Sequence, residues 1–182
     1  MFSKIFKRLI YPIFFVVNHI GFKVFLPKAL RRVVDVFRSK LIIGLGSSIG
    51  ERVYISKNFF CSNYNNLYIG DNGTVGINCE FYSDGKLVIG DDFLFGSNIV
   101  IHTGDHNCSL GDLPFISQGS WYGEVVIGNN VYIGSNCVIL CGVIISDNVV
   151  VGAGSVVTKS LESGWIYAGN PAKQIKRLHD AR

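Results

Sequence analysis

Charge is scarce in this chain: 16% of its 182 residues are Asp, Glu, Lys or Arg, against 48% that are hydrophobic. That balance argues against disorder along most of its length and supplies a sizeable core. Proline is scarcer still, with four residues against 21 glycines. So much glycine excludes a helical bundle, and the lack of a strict Gly-X-Y period excludes collagen, which leaves recurrent tight turns as its use. The five cysteines (Cys61, Cys79, Cys108, Cys137, Cys141) are odd in number and lack paired or zinc-type spacing. No disulfide framework is implied, and no cleavable signal with a small-residue cleavage site stands out. Both absences point to a reducing, cytoplasmic compartment. An unbroken apolar run of about twenty residues, which a spanning helix needs, is also missing. Pro12, Asn18, His19 and Gly21 interrupt the stretch from Phe2 to Leu26.

What the chain has is a period of six. Aliphatic residues recur at Ile127, Ile133, Ile139, Ile145, Val151 and Val157, and Gly128, Gly134 and Gly152 follow three of them. Four residues after these aliphatics stand Val131, Cys137, Val143, Val149 and Ser155, again small or apolar. The motif repeats earlier at Ile43, Ile49 and Ile55, at Ile69, Val75 and Phe81, and at Ile89, Phe95 and Ile101. A helix cannot hold this period on one face, because its apolar stripe recurs near 3.6 residues. Short strands joined by turns can, if each six-residue unit is one side of a triangular coil and stacked coils bury a continuous column. A β-sandwich of alternating strands would lose phase over six successive units. The expected fold is therefore a parallel β-helix from about Ile43 to Val157, with corners such as Gly70-Asp71-Asn72, Gly90-Asp91-Asp92 and Gly128-Asn129-Asn130 tolerating left-handed backbone.

The phase slips by two at Ser83-Asp84-Gly85 and breaks outright between Ile101 and Ile127. A solenoid without a task there would continue its repeat, so the extended loop near 103–124, with His106, Pro114, Trp121 and Tyr122, is the expected functional excursion.

Residues 1–40 carry nine Lys or Arg against one Asp, while the remainder carries eight against twelve acids. The basic, apolar segment 1–40 is expected to be helical. It either caps the open first coil, as every solenoid requires, or lies on the anionic inner face of a plasma membrane. Basic residues interleaved with large apolar ones, and no recognition motif, argue against nucleic acid as a partner.

The stretches Ile127-Gly-Asn-Asn-Val-Tyr-Ile-Gly-Ser135, Val151-Gly-Ala-Gly-Ser-Val-Val-Thr-Lys159 and Ala168-Gly-Asn-Pro-Ala-Lys173 resemble the hexapeptide-repeat acyltransferases with left-handed β-helices, especially galactoside, maltose and polysaccharide O-acetyltransferases. The resemblance runs from about Leu41 to Lys176. It implies an all-β solenoid, left-handed over 41–165, with a tail at 166–182 on the CoA side. It also implies a homotrimer with active sites between subunits, acetyl-CoA as acyl donor without a metal, and a sugar or saccharide acceptor. By the same resemblance His106, in Asp105-His106-Asn107, is the general base. Ser135, Ala153 and Thr158 match positions touching the pantetheine arm, and Lys159, Lys173 and Lys176 positions near the CoA phosphates. Relatives often have Arg at two of these Lys positions, and Lys offers a point charge in place of a bidentate fork. Tyr132 stands where relatives often have Trp. Asn78 and Asp84 are acceptor-side candidates, equally explicable as corner residues.

Histidine suits the chemistry because a sugar hydroxyl is a poor nucleophile until its proton leaves, and neutral imidazole removes protons near neutral pH. Asp105 and Glu124 are the candidate orienters of the ring, and Cys108 is a formal candidate for an acyl-enzyme. Two rivals come from other classes. A γ-carbonic-anhydrase-type zinc enzyme could use His102 and His106, but the other histidines, His19 and His179, lie outside the coil body, and catalytic zinc generally takes three protein ligands. A catalytically silent scaffold or binding module would keep the coil for assembly alone.

Overall fold

The computed structural model describes residues 2–19, 28–109 and 111–180, so the end of the apolar stretch, 20–27, lies outside the described residues. Two helices, α1 (Phe2–His19) and α2 (Lys28–Leu45), precede a solenoid of strands two or three residues long. Three parallel sheets form its sides. One stacks Ser48–Ile49, Leu67–Ile69, Leu87–Ile89, Val125–Ile127 and Ile144–Ile145; the second stacks Val53–Ile55, Gly73–Val75, Leu94–Phe95, Tyr132–Ile133 and Val150–Val151; the third stacks Phe60–Cys61, Glu80–Tyr82, Val100–His102, Val138–Ile139 and Val156–Val157. Trp165–Ala168 and Lys173–Arg177 continue the second sheet as an antiparallel pair. This is the parallel β-helix expected from the repeat, with the left hand that the family resemblance implied.

The period-six residues from Ile127 to Val157 are all buried, as are Val131, Cys137, Val143, Val149 and Ser155. Ile43 departs from the expectation: it lies in α2, 44% exposed, and the first strand begins only at Ser48. A lone aliphatic in phase cannot distinguish the last turn of a helix from the first side of a coil.

Equivalent residues in successive coils are separated by 20, then 38, then 18 positions. The two-residue excess at Ser83–Gly85 is matched in the coil above, where the turn Tyr64–Asn66 fills the same corner. The long excursion leaves from that corner too. Every departure from the hexapeptide is thus confined to one edge of the prism, between the third and first sheets.

The other corners explain the glycines differently from the sequence reading. Their left-handed positions are taken by Asn72, Asp92, Asn130 and Asn148, with φ between 53° and 57°. Gly70 and Gly90 are needed for the close approach of coil to coil: a Cβ on Gly70 would stand 2.9 Å from the Gly90 carbonyl carbon. Short Asn and Asp side chains tolerate left-handed backbone, so they hold the turn while glycine permits stacking.

The first coil would present an unpaired strand edge to solvent, and the helices cover it with side chains. The Asn18 amide donates to the Phe59 carbonyl at 2.8 Å and accepts the Phe59 N–H at 3.0 Å, standing in for a missing strand. Ser39 Oγ donates to the Val53 carbonyl at 2.8 Å, and buried Arg38, paired with Asp35, reaches the Ile55 carbonyl. Both helices thus contribute side chains to the open end of the coil.

Candidate active site

The excursion is an antiparallel hairpin, Gly104–His106 paired with Ser120–Tyr122. Its register sets Gly104 opposite Tyr122, Asp105 opposite Trp121 and His106 opposite Ser120. Directly opposed residues share a face of a strand pair. Ser120 Oγ accordingly lies 3.1 Å from His106 Nδ1. Asp105, one residue back, alternates to the other face, and its carboxylate accepts the His106 backbone N–H at 2.8 Å. The other expected orienter, Glu124, is paired with Lys86 at 2.8 Å. The partner of the imidazole is thus Ser120, which sequence reasoning missed. Only the hairpin register, not a spacing in the chain, could have found it.

A cleft of ≈ 500 Å³ opens beside the hairpin, lined by residues that include Asp84, His106, Ser120, Tyr122 and Cys141. Asp84 comes from the coil above, and its carboxylate accepts from Ser62 Oγ at 3.1 Å. His102 is stacked on Tyr82, with ring centroids 4.9 Å apart and planes 6° apart, which is a packing role. Trp121 anchors the root of the hairpin: a Cβ on Gly123 would meet its ring and the Cys141 sulfur, both at 3.1 Å. Burial pushes the Cys141 thiol up, with Asp105 adding to the effect, so this sulfur stays protonated. Deeper thiols are passive for the same reason, Cys61 and Cys79 both being pushed up to about 11. Cys108 is exposed. Among the described residues no three His, Cys, Asp or Glu side chains converge as a metal-holding group.

The remaining candidates separate onto different edges of the prism. Asp84, His106, Thr158 and Lys159 follow strands of the third sheet and share its edge with the first. Asn78, Ser135 and Ala153 follow strands of the second sheet and share its edge with the third. Asn78 sits there in a ladder, its amide accepting from Asn58 at 2.9 Å and donating to Asn98 at 3.1 Å. Ser135 Oγ accepts the Ser97 N–H at 3.0 Å. Tyr132 lies on the outer face of the second sheet, 43% exposed. Lys173 and Lys176 are exposed on the antiparallel strand Lys173–Arg177, where Arg177 covers the Trp165 ring at 4.4 Å. One chain alone does not bring His106 together with Asn78, Ser135 and Ala153.

Residues 124–159 match the family described as bacterial transferase hexapeptide (six repeats). The chain is 33% identical over 144 residues to the galactoside O-acetyltransferase of Escherichia coli (strain K12), covering 79% of this chain and 70% of that protein. It is 31% identical over 144 residues to the galactoside O-acetyltransferase of Lactococcus lactis subsp. lactis, covering 78% and 68%. Among solved structures, a galactoside acetyltransferase in complex with coenzyme A superposes with a TM-score of 0.77 at 29% identity, over 96% of this chain and 82% of that one. A maltose O-acetyltransferase from Clostridium difficile 630 does so with a TM-score of 0.76 at 27% identity, over 97% and 88%.

Proposed function

The chain belongs to the hexapeptide-repeat O-acetyltransferases, and from that membership we propose that it transfers an acetyl group from acetyl-CoA to a sugar hydroxyl in a ternary complex, with His106 as general base. The observation that carries the reading is the Ser120–His106 pair in the lining of the cleft. If Nδ1 donates its proton to Ser120 Oγ, the lone pair of the ring is left on Nε2. There it takes the hydroxyl proton as the sugar oxygen attacks the thioester carbonyl. The C–O bond forms, the C–S bond breaks, and the same proton passes from the imidazolium to the leaving CoA thiolate. A serine partner orients the ring without adding a second negative charge.

The acceptor is a galactoside- or maltose-like sugar or, in keeping with the basic N-terminus, a cell-surface saccharide or its precursor. In this reading the enzyme is cytoplasmic, with residues 1–40 in peripheral contact with the inner face of the plasma membrane; no described helix is long and apolar enough to cross one. The first test is thiol release from acetyl-CoA across a panel of sugars and lipid-linked saccharides, with mass spectrometry of products. Release that depends on an acceptor supports transfer. Saturable CoA binding with no release for any acceptor would favour a silent scaffold.

The same reading makes the site composite. In a homotrimer the edge bearing Asn78, Ser135 and Ala153 of one copy would face the His106 edge of the next, with Thr158, Lys159, Lys173 and Lys176 completing the CoA path. Leu113, Phe115 and Ile116 at the hairpin tip are 60%, 58% and 91% exposed, an apolar tip that a neighbouring copy would cover. Co-expressing His106→Ala chains with Ala153→Trp chains, each inactive alone, is expected to restore measurable turnover in mixed trimers. Absence of rescue in mixed trimers verified by mass would put both sets of residues in separate service and sink the shared site.

A further inference from the structure

α1 packs on the solenoid through Phe14 and Asn18, both buried, with Ile10 and Val17 half-buried beside them. These positions form one face at helical spacing. The opposite face is apolar as well: Leu9, Ile13 and Val16 are 66%, 49% and 49% exposed, with Tyr11 and Phe15 on its flanks. Positions 9 to 18 contain no charged residue at all. On α2 the outward positions Val33 and Phe37 are 63% and 46% exposed. A helix that merely capped a coil in water would turn polar residues outward.

Charge selects what covers this surface. The segment 1–40 has nine Lys or Arg against one Asp, and that one, Asp35, is paired with Arg38 inside the cap. Lys4, Lys7 and Arg8 occupy the first two turns of α1, immediately before the apolar run. A second copy docked here would bring like charges together, whereas an anionic bilayer complements them. Basic residues combined with an exposed apolar helix face are the pattern of an interfacial helix lying in the membrane plane.

We infer that the outward face of α1, centred on Leu9, Ile13 and Val16, together with the outward positions Val33 and Phe37 of α2, is the surface that docks on an anionic phospholipid leaflet. This rests on the reading of peripheral membrane contact given above and identifies its face and lipid class. In a cyclic trimer symmetry sets all three caps at one height along the axis, so three such faces meet one membrane plane together and bind multivalently. The arrangement would retain the enzyme beside membrane-borne saccharide acceptors.

The test is flotation of full-length protein with vesicles of phosphatidylcholine alone and of phosphatidylcholine with phosphatidylglycerol. Wild type is expected to float with the anionic vesicles at least tenfold more than with the neutral ones, and high salt reduces the difference. Leu9→Asp/Ile13→Asp/Val16→Asp is expected to lose at least tenfold in anionic-vesicle binding while keeping its oligomeric state and its thiol release with a soluble sugar. Val33→Asp/Phe37→Asp repeats the test on α2 should the first variant fold poorly. If wild type floats with neither vesicle, the docking face and the peripheral contact fall together. If wild type and both variants float alike, membrane contact stands but this face is the wrong one. If the variants break the assembly into monomers, the face is a contact between copies and the inference is overturned.

Discussion

Replacing His106 with Ala is expected to lower acceptor-dependent thiol release by about 10²–10⁴-fold, the span typical of a lost general base. The fall should appear in kcat, with the KM for acetyl-CoA little changed, because most of the candidate CoA contacts lie on other elements of the prism. Ser120→Ala is expected to do less. A neutral hydrogen bond is worth about 1 kcal/mol, or about fivefold in rate, so losing it should loosen the ring without removing the base. Cys108→Ala should leave turnover at the wild-type level, because direct transfer needs no acyl-enzyme. Retained activity in the His106 variant would remove the proposed mechanism, and loss of activity in a folded Cys108 variant would replace it with a covalent one.

The contrast between His106 and Ser120 shows where sequence reasoning reaches and where it stops. A six-residue period is a local property, repeated often enough that the coil, its buried column and the site of its interruption could all be read before any coordinates. The break after Ile101 marks the hairpin, and the cleft opens beside that hairpin. Ser120 lies fourteen positions from His106 with no spacing rule to connect them; their pairing depends on the strand register, which the intervening loop sets. For the same reason Asp105, adjacent in sequence, bonds the His106 backbone while Ser120 bonds its ring, since alternation along a strand turns neighbours to opposite faces.

Asn78 illustrates a different limit. Asn at a corner is demanded by the backbone, which needs a left-handed residue there: Asn58, Asn78, Asn98 and Asn136 all have φ between 57° and 60°. Their amides then bond one to the next down the edge, with separations of 2.9, 3.1 and 2.9 Å. Structural and functional uses of the same residue type are indistinguishable from one coil's sequence. The end of the cap escaped for a related reason: α2 continues through Ile43 to Leu45, where helical and coil phases coincide for a single residue.

The largest effect on stability is expected from Phe81→Ala. The Phe81 ring is fully buried, edge-on to Phe59 with centroids 5.0 Å apart and to Phe95 at 6.5 Å, so it links three successive coils. The C-terminal coils offer Ile101, Ile139 and Val157 in the corresponding column, smaller side chains whose single truncations leave smaller gaps. Removing a buried phenyl ring costs about 3–5 kcal/mol, through lost transfer free energy and the cavity that rigid neighbours cannot fill. That is a large share of the roughly 5–15 kcal/mol that holds a domain folded. In a solenoid each coil is held chiefly by its neighbours, so the damage should fall on the interface between the first coils and be felt by the helical cap above them. Urea unfolding should show a midpoint lowered in proportion, and hydrogen exchange should speed first at Phe59 to Cys61, where the Phe59 amide is the one bonded to Asn18. A loss below about 1 kcal/mol would mean that the upper coils collapse around the vacancy, and that the aromatic column, unlike the backbone ladders, is not what holds this end of the stack together.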